Sequence, residues 1–351
     1  MAFVAALFLS SLLTLSVSSP GHALSLNYYD KTCPDAEMIV ANTVKTATSR
    51  DKTIKLLFDL TEKSQVWMSA FVDIHLNFDV CFGHPNGEHP DVNSGDSLLE
   101  LVFIFPQGCD ASVLLDSKGN NKAEKDGPPN GSLHAFYVID SAKKQVEAIC
   151  PGVVSCADIL AFAARDAIVL SGGPTWDVPK GRKDGRTSKA SETANLPSPL
   201  FNISQLQQSF SLRGLSMDDL AALLGAHTLG FAHCSSFESR INTNNVDPTI
   251  NPTFAQSLRN ICPIKNRAKN AGTTMDPSST TFDNTHYKLI LQQKGLFYSD
   301  QALLTHPKTK RLVYRFATSR KAFREAFVKS MIKMSSITGG QEVRKDCRVV
   351  N

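Results

Sequence analysis

Apolar residues recur at helical spacing along most of this chain. In LSMDDLAALLGAHTLG, Leu220, Leu223, Leu224 and His227 fall at i, i+3, i+4 and i+7, one face of a helix predicted over 216–229. Ser216 stands three residues before Asp219, a capping-box-like pair at its start. VSCADILAFAARDAIVLSGG begins the same way, with Ser155 and Asp158, and stops at Gly172-Gly173. YVIDSAKKQVEAI carries Ile139, Ala142, Val146 and Ile149 on one face. FDNTHYKLILQQKG and RLVYRFATSRKAFREAFVKSMIKM read as helices too. Alternating strand patterns are few and short, so the class is mainly α.

His227 points where the leucines of its helix point. A histidine on an apolar face is either a satisfied core residue or a ligand, and periodicity alone leaves both open. Composition narrows the classes. A chain of 351 residues, 42% of them hydrophobic, is long enough for one large domain or two small ones. The net charge of +4 is spread along the chain without a Lys/Arg stripe, which speaks against a nucleic-acid partner. No internal repeat or low-complexity stretch is present.

MAFVAALFLSSLLTLSVSSPGHA is apolar and then small, and Gly21-His22-Ala23 fits a small-x-small cleavage site. Residues 1–23 are read as a secretory signal peptide, the other reading being a membrane anchor; the n-region lacks Lys and Arg. No later run reaches the ~18 apolar residues of a spanning helix. The expected product is a secreted, extracellular chain, 24–351. Its eight cysteines, Cys33, Cys81, Cys109, Cys150, Cys156, Cys234, Cys262 and Cys347, are an even set that export would turn into four disulfides, and no pair has zinc-finger spacing. Asn130-Gly-Ser and Asn202-Ile-Ser are glycosylation sequons.

GAHTLGFAHC, from Gly225 to Cys234, resembles the proximal-haem motif of the secretory plant peroxidases, the class III haem peroxidases. Other blocks agree in the same order: YYDKTCPDAE, GCDASVLLDS, AEKDGPPNGSLHAFYVID, CPGVVSCADILAFAARDAIVLSGGPTWDVPKGRKDG, ANLPSP, DPSSTTFDNTHY, GLFYSDQALL and CRVVN. The resemblance covers about Leu24–Ile54 and Gly108–Asn351. It implies a two-lobed α-helical domain with haem b between the lobes and with hydrogen peroxide and small phenolic donors as substrates. It further implies a monomer of the cell wall or apoplast that removes peroxide under oxidative stress.

The resemblance also assigns residues. His227 becomes the axial ligand of the haem iron. Asp300, in YSDQALL, becomes the carboxylate that accepts its other N–H and makes it more electron-donating. Two calcium sites follow, since calcium takes several hard oxygens. The proximal set is Thr228, Asp276, Ser279 and Asp283; the distal set retains Gly108, Asp110 and Ser112. Glu124 and Asn130 match residues that steady the distal catalytic histidine, and Pro197 matches a contact to aromatic donors. The implied bridges are Cys33–Cys150, Cys156–Cys347 and Cys234–Cys262.

One block departs from the pattern. Family members carry R-x-x-F-H-D-C-F shortly before G-C-D-A-S. Its His moves the peroxide proton and its Arg stabilises the charge that develops as the O–O bond breaks. Here Lys55–Gln107 does not match it, and no arginine lies between Arg50 and Arg165. HLNFDVCF, from His75, echoes the block faintly, and Cys81 would then pair with Cys109. LVFIFPQ, just before Gly108, reads like a translated pyrimidine tract ending in CAG, so Lys55–Gln107 is expected to be largely translated non-coding sequence, a true insertion being the alternative. The printed chain is therefore expected to turn over poorly, with a non-catalytic haem binder and a non-folding product as the competing readings.

Overall fold

The computed structural model describes residues 24–50, 84–85, 106–130, 133, 135–263, 265 and 271–351. The expected signal peptide, His75, Cys81 and nearly all of Lys55–Gln107 lie outside the described residues. Helices dominate: α1 Ala36–Arg50, α2 Phe136–Ile149, α3 Cys156–Leu170, α4 Ile203–Ser211, α5 Met217–Leu223, α6 Pro252–Ile261, α7 Thr285–Leu291, α8 Tyr298–Ala302, α9 Pro307–Thr318 and α10 Arg320–Ser335. Short antiparallel pairs join β1 His84–Pro85 to β2 Pro106–Gln107 and β3 Phe231–His233 to β4 Gly272–Thr274. Gly272 is required in β4, because a Cβ there would stand 2.1 Å from the Ala232 carbonyl.

Helix α3 is apolar around nearly its whole circumference and is buried from Cys156 to Ala164, as a central helix must be. Helices α1 and α2 pack on it and on each other. A second group forms around α5, against which α9 and α10 pack, while α7 packs on α9. The two groups meet where the Trp176 ring stands edge-on to Phe327 and where Arg182 Nε donates to the Ser335 carbonyl at 2.7 Å.

The first-turn N–H groups of α3 have no partner inside the helix. Ser155 Oγ accepts from Asp158 N at 3.1 Å, and the Asp184 carboxylate accepts from Cys156 N at 3.1 Å and Ala157 N at 2.9 Å. The Asp158 side chain does not return to close a capping box. It accepts instead from Tyr29 Oη at 2.6 Å, Gly181 N at 2.7 Å and Arg182 Nη1 at 2.7 Å, all buried. The pair expected as a helix start thus became half cap, half core network.

Two further expectations change. RLVYRFATSRKAFREAFVKSMIKM forms two helices, because Ser319 leaves the helical region (φ −135°, ψ 98°) and caps α10 through its side chain. The helix expected over 216–229 stays α-helical only to Leu223 and continues as a 3-10 turn over Leu224–Thr228. Three bridges close the fold, Cys33–Cys150, Cys156–Cys347 and Cys234–Cys262, the pairs the resemblance implied. Cys109 is also disulfide-bonded, to a partner outside the described residues. Among the described residues no helix is long and apolar enough to cross a membrane.

Candidate functional site

The end of α5 sets up the site. Its N-terminus is closed by a reciprocal cap: Ser216 Oγ accepts from Asp219 N at 3.3 Å and Asp219 Oδ2 accepts from Ser216 N at 2.8 Å. Leu220, Leu223 and Leu224 are buried, and the tighter 3-10 turn carries His227 to a half-buried position. The turn is pressed against α7 and α10: Tyr287 Oη donates to the Ala221 carbonyl at 2.7 Å, and a Cβ on Gly225 would stand 2.2 Å from that hydroxyl. Only glycine allows this approach.

His227 Nδ1 lies 2.7 Å from Asp300 Oδ1. Asp300 sits in the first turn of α8, fully buried, and its second oxygen accepts from Phe297 N at 3.0 Å. Both carboxylate oxygens are therefore fixed. The preceding loop is held in turn by buried Arg240, which donates to the carbonyls of Leu296 at 2.9 Å and Phe297 at 3.1 Å. Burial pushes the Asp300 carboxyl up, but the neighbouring imidazoles and the hydrogen bonds from His227 and Phe297 outweigh it and hold the group below the usual carboxylate range. The Phe297 ring stands edge-on to His227, centroids 5.2 Å apart.

Beside this pair is a cluster of oxygens. Thr228 Oγ1 donates to Asp276 Oδ2 at 2.7 Å and approaches Asp283 Oδ1 at 3.2 Å. Ser278 Oγ reaches the same two carboxylates, at 3.0 Å and 3.2 Å. The expected hydroxyl was that of Ser279. Ser279 is buried and its carbonyl accepts from Gly230 N at 2.9 Å, while the hydroxyl joined to both carboxylates is that of Ser278. The loop length between Asp276 and Asp283 decides which serine turns inward, and motif matching did not settle it. Burial, with Asp283 adding like charge, pushes the Asp276 carboxyl up to about 6 despite the hydrogen bonds it accepts. Two crowded carboxylates and two hydroxyls are the donor set a hard dication takes.

A second group lies at Gly108–Asn130. Gly108 has no room for a side chain, since a Cβ would stand 1.9 Å from the Ile337 carbonyl. Asp110 Oδ1 accepts from Ser112 N at 3.0 Å, and Ser112 Oγ donates to Glu124 Oε2 at 3.0 Å. All three residues are buried. Asn130 is joined to Glu124 through the backbone: its Nδ2 donates to the Glu124 carbonyl at 3.0 Å. Pro197 is half-buried in the loop before α4, and that loop meets the Asp300 helix where Ser299 N donates to the Pro199 carbonyl at 3.0 Å.

Three residues of the site were not foreseen: Ser278, Phe297 and His286. His286 lies on α7, buried, its Nε2 3.8 Å from Asp300 Oδ1, and burial drives its pKa down to about 4. Its position in FDNTHY, three residues after Asp283, was the available signal.

The proximal residues fit a haem. One ring nitrogen of His227 is held by a buried carboxylate, the partner that a metal-ligating histidine takes. Comparison with known proteins agrees. A family model described as peroxidase matches residues 41–319. The chain is similar to Peroxidase 64 of Arabidopsis thaliana, 56% identical over 339 residues that cover 95% of each chain. It is similar to Peroxidase 66 of the same plant, 46% identical over 96% of this chain and 95% of that one. Peroxidase 5 of Vitis vinifera is 46% identical over 74% of this chain and 83% of its own. The chain belongs to the peroxidase family, the haem-dependent oxidoreductases that use hydrogen peroxide to oxidise donor substrates.

Proposed function

We propose that this chain is a secreted, monomeric plant peroxidase that oxidises small phenolic donors, in which His227 would hold haem b and two sets of oxygen ligands would hold calcium. The observation that carries the reading is the 2.7 Å pair of half-buried His227 and fully buried Asp300. When bound, the haem would supply the redox chemistry between peroxide and donor. Asp300 orients the His227 ring, keeps its proton on Nδ1 and makes Nε2 more basic.

Thr228, Asp276, Asp283 and a serine of the loop, Ser278 by its hydroxyl or Ser279, would hold the proximal calcium. Thr228 follows His227 directly, so the ion would brace the turn that carries the ligand. Gly108, Asp110 and Ser112 form what is present of the distal calcium site. Glu124 and Asn130 would orient a distal base, and Pro197 would meet the donor. Residues 1–23 act as the signal peptide, and 24–351 form one domain.

The distal arginine is missing, since no arginine lies between Arg50 and Arg165, and Lys55–Gln107 holds no R-x-x-F-H-D-C-F block to supply the ordinary distal base, which leaves His75 as the alternative. Loss of a general base removes about 10²–10⁴-fold in rate, and loss of a preorganised charge stabiliser roughly 10²–10³-fold. The proposal is tested by loading the chain with haem and mixing it with hydrogen peroxide in a stopped flow. Haem retained with a histidine-ligated spectrum, lost in His227→Ala, and a slow reaction with peroxide are the expected results. An unchanged spectrum in His227→Ala would overturn the ligand assignment. Sequencing the transcript across the codons for Ile54 to Gly108 decides whether the locus also makes a chain with the ordinary R-x-x-F-H-D-C-F block.

A further inference from the structure

His286 has no role in the site described so far, yet it lies inside it. Its helix is anchored at the N-terminal end by Asn284, whose Nδ2 donates to the carbonyls of Phe316 at 2.8 Å and Ala317 at 2.9 Å. This places the His286 ring edge-on to His227, centroids 5.8 Å apart at 87°, and against Tyr287 at 5.4 Å. Its Nε2 is buried and has no hydrogen bond among the described residues. The nearest acidic group is Asp300 Oδ1, at 3.8 Å, the same oxygen that takes His227 Nδ1 at 2.7 Å. One carboxylate oxygen thus faces two imidazoles.

A buried polar nitrogen without a partner is costly, and an apolar ring would fill the same space without that cost. If Nε2 were bare, its lone pair would oppose the carboxylate, so the favourable tautomer places the proton on Nε2, aimed at Asp300. At 3.8 Å this is an oriented dipole and not a hydrogen bond. Inside a protein such a dipole acts on a charge with less screening than in water. It draws part of the Asp300 charge toward itself, and His227 receives correspondingly less.

We propose that His286 is a positioning residue of the proximal pair: by sharing the Asp300 oxygen it limits the electron donation that Asp300 gives His227, and so sets the reduction potential of the bound iron. This rests on the assignment of His227 as the axial ligand. His286→Phe keeps a ring and removes the N–H; His286→Leu is a second apolar variant should the larger ring not be accommodated; His286→Gln restores a donor.

The readouts are the ferric–ferrous midpoint potential and the iron–histidine stretching frequency of the haem-loaded protein. Without the dipole His227 donates more strongly. The apolar variants are therefore expected to have a higher stretching frequency, and a reduced-to-oxidised ratio at fixed ambient potential lower by roughly three- to tenfold, less than the 10–100-fold typical of removing a direct partner. His286→Gln should return both toward wild type. If both apolar variants fold and leave potential and frequency unchanged while Asp300→Asn shifts them, the proposal is overturned and the axial assignment stands. If His227→Ala binds haem with unaltered spectra, the axial assignment falls and the proposal with it.

Discussion

His227 Nδ1 and Asp300 Oδ1 stand 2.7 Å apart although 73 positions separate them in sequence. Nothing local brings them together; α8 and the end of α5 are joined by the packing around Tyr287 and Arg240. The contact is therefore a product of the whole C-terminal group of helices. Asp300→Asn keeps the shape of the side chain and removes its charge. The rate of reaction of the haem-loaded chain with hydrogen peroxide is expected to fall by about 10–100-fold, the usual effect of removing a partner of a metal-bound histidine. A rate within a factor of two of wild type would mean that the carboxylate only packs.

The oxygens around Asp276 make a second prediction. Thr228, Ser278, Asp276 and Asp283 bring two hydroxyls and two carboxylates together, a set of hard oxygens. Calcium at a hundredfold excess over its Kd should stabilise the chain by about 2.7 kcal/mol, measured as the shift in thermal midpoint between calcium and a chelator. Asp283→Asn should remove most of that shift. Comparing Ser278→Ala with Ser279→Ala identifies the contributing hydroxyl: loss of the shift in Ser279→Ala alone would rule out Ser278.

Much of this site is legible in the chain before folding, and the reasons are physical. The leucines of α5 fix its face, and Ser216 and Asp219 fix its start, because both are local effects of helix geometry. The switch to a 3-10 turn at Leu224 is not local: it follows from the close approach of Tyr287 and Phe323 to Gly225. Ser278 and Ser279 are equivalent to a motif, and only the path of the loop separates them. Asp158 looks like a capping residue in sequence, but Tyr29 and Arg182, far away in the chain, claim its carboxylate. His286 was hidden because helical spacing shows that a residue is buried and not what it faces.

Asp219 gives a pH prediction. Burial raises its carboxyl, but hydrogen bonds from Lys333, Ser216 and Ser330 outweigh burial and bring it below the ordinary value of 3.8. The folded form thus binds its proton more weakly than the unfolded form. The stability it contributes is fully present above the unfolded value and is lost as pH falls through the folded value. Half-exposed Lys333 adds little, so most of the effect is the cap at the start of α5, about 1 kcal/mol. Urea unfolding at pH 7 should show Asp219→Asn less stable by that amount, and the gap should close as the pH is lowered below about 3.8. A gap unchanged at low pH would show that the loss comes from packing and not from charge.

The two sequons differ in what their amide nitrogens are doing. Asn130 is 3% exposed, and its Nδ2, the atom that would carry a glycan, donates to the Glu124 carbonyl at 3.0 Å. Asn202 is exposed at the start of α4, and its Oδ1 accepts from Gln205 N at 3.0 Å. Capping uses the oxygen of that amide and leaves the nitrogen for the sugar, so a glycan at Asn202 costs the helix nothing. Peptide mass spectrometry of the exported protein, after enzymatic deglycosylation in heavy water, should mark Asn202 and leave Asn130 unmarked. A marked Asn130 would show that this residue is on the surface when the chain enters the secretory pathway, and would displace it from the distal network. Absence of a mark at both positions, in protein recovered from the plant, would count against export itself, because an exposed sequon at a helix start is open to the transferase as soon as the chain enters the lumen.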